Sequence, residues 1–274
     1  MKTAAVALIA TVATGASAET QWVGRFDAGD PVIPAPWKVE RIDQRIPPTE
    51  YALRAWDGVG AVEARADKSM ALLGRPLEVD LDKTPILCWQ WRIDAPIASA
   101  DMTKKSGDDY AARVYLNFAV PPDQLDFATR TKLALGRTLY GDHLPDAAIN
   151  YIWDNRHPVG TWQANVYTDR ARMLVLRSGA DEAGHWVIER RDVREDFQAA
   201  FGELTGRLRS IALASDTEAE SRMFEALKIT PPSTTLPTPR ASACARSGRN
   251  ERPSEPMLPM VNPTTSVKST MPMT

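Results

Sequence analysis

Short segments in which apolar and polar side chains alternate residue by residue constrain this chain more than any other feature. In Ile86–Asp94, Leu87, Trp89, Trp91 and Ile93 fall on one side while Cys88, Gln90 and Arg92 fall on the other. Successive side chains of a strand point to opposite faces, so this pattern suits a half-buried sheet and not a helix. Tyr110–Val120 repeats it: Tyr110, Ala112, Val114, Leu116 and Phe118 share one face, and Ala111, Arg113, Tyr115 and Asn117 share the other. Similar segments are expected as strands at Trp22–Phe26, Trp37–Arg41, Tyr51–Trp56, Ala61–Ala66, Met70–Val79, Ile149–Trp153, Met173–Arg177, Trp186–Asp192 and Leu208–Ala214. Asp57-Gly58, Ser106-Gly107-Asp108 and Ser178-Gly179 supply turn chemistry between them. Many strands at close spacing, with no helices alternating between them, predict an all-β fold, an antiparallel β-sandwich.

Two helices interrupt the strands. One is expected after Pro121-Pro122-Asp123, where Leu125, Ala128, Lys132 and Leu135 recur at helical spacing up to Gly136. The second spans Arg194 to Phe201, with Gly202 placed as a C-terminal cap. Both are expected to pack on the edge of the sandwich as connections.

The two ends differ from the middle in composition. Lys2, the apolar run Ala4–Ala13 and the small residues Ala16-Ser17-Ala18 form the pattern of a cleavable secretion signal, residues 1–18. The expected location is therefore periplasmic or secreted. No other stretch approaches the ~20 apolar residues of a membrane-spanning helix. Residues 217–274 hold nine prolines, many Ser and Thr and the single aromatic Phe224. Such a segment buries too little apolar surface to offset its ordering entropy, so a disordered tail is expected, with at most a short helix at Glu218–Leu227. The working domain is thus read as residues 19–216, net −5 in charge. That balance argues against nucleic acid, which calls for a clustered basic surface. Cys88 and Cys244 are too few for a disulfide framework, and Cys88, in an apolar strand, reads as a buried thiol.

If the strands around residues 90 and 115 share a sheet, Gln90, Arg92, Arg113, Tyr115 and Asn117 form one polar surface. Amides bond donors and acceptors, arginine forks onto carboxylates and tyrosine offers a stacking face, a mixture suited to hydroxyl-rich or anionic ligands. Water alone also favours polar side chains on an outer sheet face. Trp89 and Trp91 belong to the apolar face and read as core, whereas Trp37, Trp153, Trp162 and Trp186 stay open to either role.

Complete catalytic motifs are absent from the sequence. Asp80-Leu81-Asp82 opens like a calcium loop, but Pro85 stands where glycine is required. His143, His157 and His185 have no ligand spacing. Asp108, Asp109, Asp154 and Asn155 at strand ends, with Asp216 beyond the last candidate strand, could supply oxygen ligands to structural calcium. They are equally the commonest turn formers. No other cofactor is expected.

The run Lys105-Ser106-Gly107-Asp108-Asp109-Tyr110-Ala111-Ala112-Arg113-Val114-Tyr115, preceded by Trp89–Asp94, resembles a bacterial family of exported proteins known as a domain of unknown function. Ile149–Asn155, Pro158–Thr161, Val175–Gly179 and Arg191–Val193 fit the same pattern, and the likeness spans Phe26 to Thr217. The layout also resembles the jelly-roll sandwiches of carbohydrate-binding modules, which implies a jelly-roll fold but carries no function by itself. The chain departs from the family after Thr217, where Glu218-Ala219-Glu220 replaces an expected last strand; a frameshift or fusion would leave the sandwich with an exposed edge. Three functions remain open. One is a binding domain for a glycan or other polar envelope component. Another is a polysaccharide hydrolase or lyase using Asp108, Asp109 or Asp154, and the third is a structural envelope protein.

Overall fold

The structure is a computed structural model that describes residues 21–26, 32–140, 144–217 and 221–230. The expected signal segment and the residues beyond 230 lie outside them. Among the described residues thirteen strands form two sheets. The six-stranded sheet runs β11 (Val187–Asp192), β6 (Ile86–Ile93), β13 (Ser221–Thr230), β4 (Val59–Ala66) and β3 (Glu50–Trp56), with β1 (Gln21–Gly24) also paired to β13. The seven-stranded sheet runs β2 (Lys38–Glu40), β5 (Leu72–Val79), β12 (Arg207–Asp216), β7 (Tyr110–Ala119), β8 (Ala147–Asp154), β10 (Thr168–Ser178) and β9 (Trp162–Asn165). All pairings are antiparallel except β8 with β10.

Chain order makes the fold an all-β sandwich of jelly-roll type. From β4 to β7, and again from β10 to β13, the chain crosses between sheets at every step. The result is β4–β13–β6–β11 facing β5–β12–β7–β8, the interleaving of two Greek keys that defines a jelly roll. In this order β13 is a central strand. It lies between β4 and β6, pairing Met223 with Ala64 on one side and with Ile93 on the other. The sandwich therefore extends past residue 216, and Ser221–Thr230 forms a strand where a helix or tail was expected. The expected loss of the last strand is corrected on the same ground. The Pro/Ser/Thr-rich composition of the residues after 230 masked a strand whose pairing comes entirely from distant partners.

The inner faces meet through an aromatic column. Trp89 stacks on Tyr151 at 5.3 Å, Trp91 meets Trp153 at 5.8 Å, and Trp89 and Trp91 touch edge to face at 5.6 Å. These side chains come from β6 and β8, so one sheet is keyed into the other. Trp89, Trp91 and Trp153 are buried, as is Trp37, while Trp162 and Trp186 are half-buried. Two indoles keep hydrogen-bond partners: Trp91 Nε1 donates to Glu189 at 3.1 Å and Trp153 Nε1 to the Gly179 carbonyl at 3.0 Å. Cys88 is disulfide-bonded, which corrects its reading as a thiol; Cys244, the only other cysteine of the sequence, lies outside the described residues.

Both helices exist. α2 (Val193–Phe201) starts where the Asp192 carboxylate accepts from the backbone N–H groups of Arg194 and Glu195, and ends at Gly202 with φ 67°. That positive φ favours glycine. Phe197 locks α2 to β7, 4.6 Å from Phe118. α1 (Phe127–Tyr140) begins later than expected, because Pro122–Gln124 forms a 3₁₀ turn and Asp126 caps the helix through Thr129. It also runs through Gly136. A Cβ there would sit 2.6 Å from Leu144, so glycine is what lets Leu144 press against the helix.

Removal of the Trp91 side chain should cost about 3–5 kcal/mol of unfolding free energy, since it empties the centre of the column and deprives Glu189 of a donor. Urea denaturation of Trp91→Ala against Trp186→Phe would measure it. A loss below about 1 kcal/mol for Trp91→Ala would contradict the column's role.

Candidate functional site

The expected polar surface divides between the two sheets. Gln90 and Arg92 stand on the outer face of the six-stranded sheet, and Arg113, Tyr115 and Asn117 on the outer face of the seven-stranded one. Alternation fixes which way a side chain points relative to its own strand. It does not say which sheet the strand joins, and consecutive strands of a jelly roll change sheets. Arg92 is taken up locally: it pairs with Asp57 at 2.9 Å and lies 4.8 Å over Trp56, pinning the tip of the β3–β4 hairpin.

A β-bulge completes the second surface. The β7–β12 register passes from Arg113 opposite Ala214 to Tyr110 opposite Asp216, three residues on β7 against two on β12. Ala111 and Ala112 both enter the core, which only small side chains allow, and Tyr110 is turned out beside Arg113. The guanidinium of Arg113 lies 4.2 Å over the Tyr110 ring. Strict alternation had assigned Tyr110 to the core face; the extra residue reverses it.

Register then lays out the surface. Ala212, Tyr115, Asn150, Met173 and Gln163 form one row across five strands, and Ala214, Arg113, Ile152 and Val175 the next. Tyr115, Asn117 and Ser210 are half-buried, while Ala148, Ala212, Ala214 and Gly74 keep the floor low. Arg113, only 1% exposed, is the centre. Its Nη2 sits 3.1 Å from Asp108 Oδ1 and 3.1 Å from Asp216 Oδ2, and also donates to the Asp108 carbonyl. Its Nη1 donates to the Tyr115 hydroxyl at 3.0 Å. Asn165 from β9 reaches the Asp108 carboxylate at 3.3 Å.

One guanidinium thus faces two carboxylates away from water. Burial opposes the charge on Arg113, but Asp216, Tyr115 and Asp108 outweigh it and hold the proton more firmly than usual. For Asp216, burial dominates; Arg113 offsets it in part, Asp108 and Asp109 add to it, and the carboxyl is pushed up to about 7. Arg113 therefore stays charged, and burial shifts Asp216 toward its protonated form. Burial likewise raises both Tyr110 and Tyr115, which remain phenols at neutral pH. Around this centre Tyr110 Oη, Asn150 Oδ1, Asp216 Oδ1 and Arg113 Nε are buried with no hydrogen-bond partner among the described residues. Buried polar atoms are normally paired, and four of the ten unpartnered ones among the described residues lie around this one guanidinium.

Of the residues considered for calcium, Asp108 and Asp216 converge on Arg113 while Asp154 and Asn155 stand apart in a turn. Asp108 faces Arg113 and Asn165. Asp109 is half-buried next to it. Asp154, fully buried, accepts from the backbone N–H groups of Arg156 and His157 and faces the His157 ring at 3.1 Å, so it builds the turn after β8. Asn155 donates to the Ala98 carbonyl. Among the described residues no three His, Cys, Asp or Glu side chains are grouped to hold a metal ion. Sequence reading missed Tyr110, Asn150 and Asn165 and took Asp216 for a cation ligand; a bulge and cross-strand register leave little trace in a single sequence.

A family model described as "Protein of unknown function (DUF3047)" matches residues 35–227. No curated protein matches the chain. Among solved structures it is similar to endoglucanase 3 of Trichoderma harzianum, from family GH12, at 7% identity and a TM-score of 0.35, over 73% of this chain and 99% of that one.

The folded state favours protonated Asp216, so its contribution to stability is fully present below about pH 4, the carboxyl's ordinary range. It is lost progressively as pH rises to about 7. Asp216→Asn should abolish that slope, at most about 4 kcal/mol, in denaturation curves taken between pH 4 and pH 8. An equally steep slope in the variant would remove Asp216 as its source.

Proposed function

The chain belongs to the DUF3047 family of proteins of unknown function, and for it we propose a role outside the cytoplasm in binding a hydroxyl-rich ligand, a glycan of the cell envelope, on the outer face of the seven-stranded sheet. The supporting observation is the set of unpartnered buried atoms around Arg113. Arg113 Nε is a donor, Asn150 Oδ1 an acceptor, and the Tyr110 hydroxyl and protonated Asp216 can serve as either. Sugar hydroxyls both donate and accept, and a mixed set of this kind pairs them without asking for charge. Half-buried Tyr115 and Asn117 border the low floor of Gly74, Ala212 and Ala214, where a ring could lie against the sheet. Residues Lys2 to Ala18 support the extracytoplasmic part of the reading by their secretion-signal pattern.

One observation favours a second reading, hydrolysis. A carboxyl held protonated near neutrality stands beside Asp108, and both contact the same nitrogen at 3.1 Å, so their oxygens are within about 6 Å. Paired acidic groups at such separations cleave glycosidic bonds. In that case Asp216 would be the acid, and Asp154, which is committed to its turn, would have no part.

Titration calorimetry of the purified protein against a panel of soluble envelope and plant polysaccharides separates these readings. Binding by the wild type that weakens about tenfold or more in Tyr115→Ala and Asn117→Ala, with the fold intact, is the expected result. Tight binding left unchanged in both variants would reject this surface. Release of reducing ends that stops in Asp216→Asn would establish the hydrolytic reading instead.

A further inference from the structure

α1 presents its apolar side to solvent. The helix meets the sandwich through buried Leu133, through Gly136 under Leu144, and through Arg137, whose Nη2 donates to Asp146 at 2.6 Å. The opposite side is centred on Phe127, Thr131 and Leu135, one turn apart, with Ala128, Ala134 and Thr138 around them. All six are exposed, Phe127 to 77% and Leu135 to 61%. A helix resting on a globular body ordinarily shows the reverse, apolar side inward and charges outward. Of the residues whose helical spacing marked this segment, Leu125 is buried while Ala128, Lys132 and Leu135 are exposed.

Charge accompanies this stripe. Between Phe127 and Tyr140 there are three basic residues, Arg130, Lys132 and Arg137, and no acidic one, in a domain of net −5. Arg130 and Lys132 flank Thr131 in sequence, so each lies about 100° around the axis on either side of the exposed stripe. Both are exposed. A helix with a shallow apolar face bordered on both sides by cations is shaped to lie in a membrane interface, its apolar residues below the headgroups and its cations at phosphate level.

We infer that α1 docks this protein on an anionic lipid surface, with Phe127 and Leu135 inserted and Arg130 and Lys132 on the headgroups. Charge complementarity selects this occupant. A second copy joined through the same face by a two-fold axis would bring two cationic helices together. The two large apolar side chains stand about 12 Å apart along the helix with Thr131 between them, too sparse for the packed anchor at the centre of a protein interface. Docking leaves the fold undisturbed, because Leu133, Gly136 and Arg137 keep their contacts with the body. It is also independent of the surface around Arg113, with which it shares no residue.

Co-sedimentation of the full chain with vesicles of equal parts phosphatidylglycerol and phosphatidylcholine tests this. Phe127→Ser combined with Leu135→Ser, and separately Arg130→Glu combined with Lys132→Glu, should each lower the vesicle-bound fraction's partition coefficient at least about tenfold at 0.1 M salt. The apolar run Ala4–Ala13 is common to all forms and cancels in the comparison. All four substitutions are at exposed positions, and unchanged circular dichroism would show the fold intact. Partition unchanged in either double variant overturns the inference. So does a concentration-dependent dimer, seen by sedimentation without lipid, that the same substitutions dissolve.

Discussion

The bridge between Asp108 and Asp216 through Arg113 pins the point at which the jelly roll closes. Asp216 is the last residue of β12, and after it the chain leaves the seven-stranded sheet to become β13, the strand between β4 and β6. Asp108 ends the loop that delivers the chain to β7. One side chain thus ties an incoming and an outgoing segment at neighbouring positions. The same corner is bound by Thr49, whose hydroxyl donates to the Ser215 carbonyl, and by Ser69, whose N–H donates to the Thr217 carbonyl. Long-range closure of this kind must overcome loop entropy, and fixed contacts where the chain changes sheets are where it is most effectively opposed.

Much of the architecture was legible because burial imposes a period on each strand. The inward sets Leu87, Trp89, Trp91, Ile93 and Val114, Leu116, Phe118 all lie in the core. The helix at Val193–Phe201 was equally legible, since Asp192 and Gly202 cap it by local chemistry. What failed was non-local. β13 carries Met223, Phe224, Leu227 and Ile229 but sits at the head of a Pro/Ser/Thr-rich segment, and it owes its place to β4, β6 and β1. α1 was found but its facing was not, because helical spacing identifies a stripe without saying what covers it.

The site shows the same division more sharply. Arg113, Tyr115 and Asn117 were identified as a polar face, and they are one. Their grouping with Gln90 and Arg92 required sheet membership, which jelly-roll connectivity decides and a strand's own residues do not. Tyr110 joined the surface through a single inserted residue, and Asp216 became Arg113's partner through register alone. Of the possible ligands Asp154 and Asn155, Asp154 does what its residue type does most often and builds a turn, and Asn155 ties that turn to the Ala98 carbonyl.

The composition of that surface is itself an argument about its use. As a fastening, a buried guanidinium with two carboxyl groups is a poor choice: desolvation costs several kcal/mol per ion, and apolar residues of similar volume commonly hold as well or better. The alternative is present next door, where Ile152, Val175, Met173 and Met102 pack as a small apolar cluster on the same outer face. Had the corner needed only attachment, extension of that cluster over Arg113 would have supplied it. Instead the row keeps a cation, a carboxyl whose proton burial favours, and four polar atoms with nothing to bond among the described residues. A corner that keeps polar groups where apolar ones would hold it is what the proposed hydroxyl-rich ligand would complete, because its hydroxyls can pair the donors and acceptors left open there.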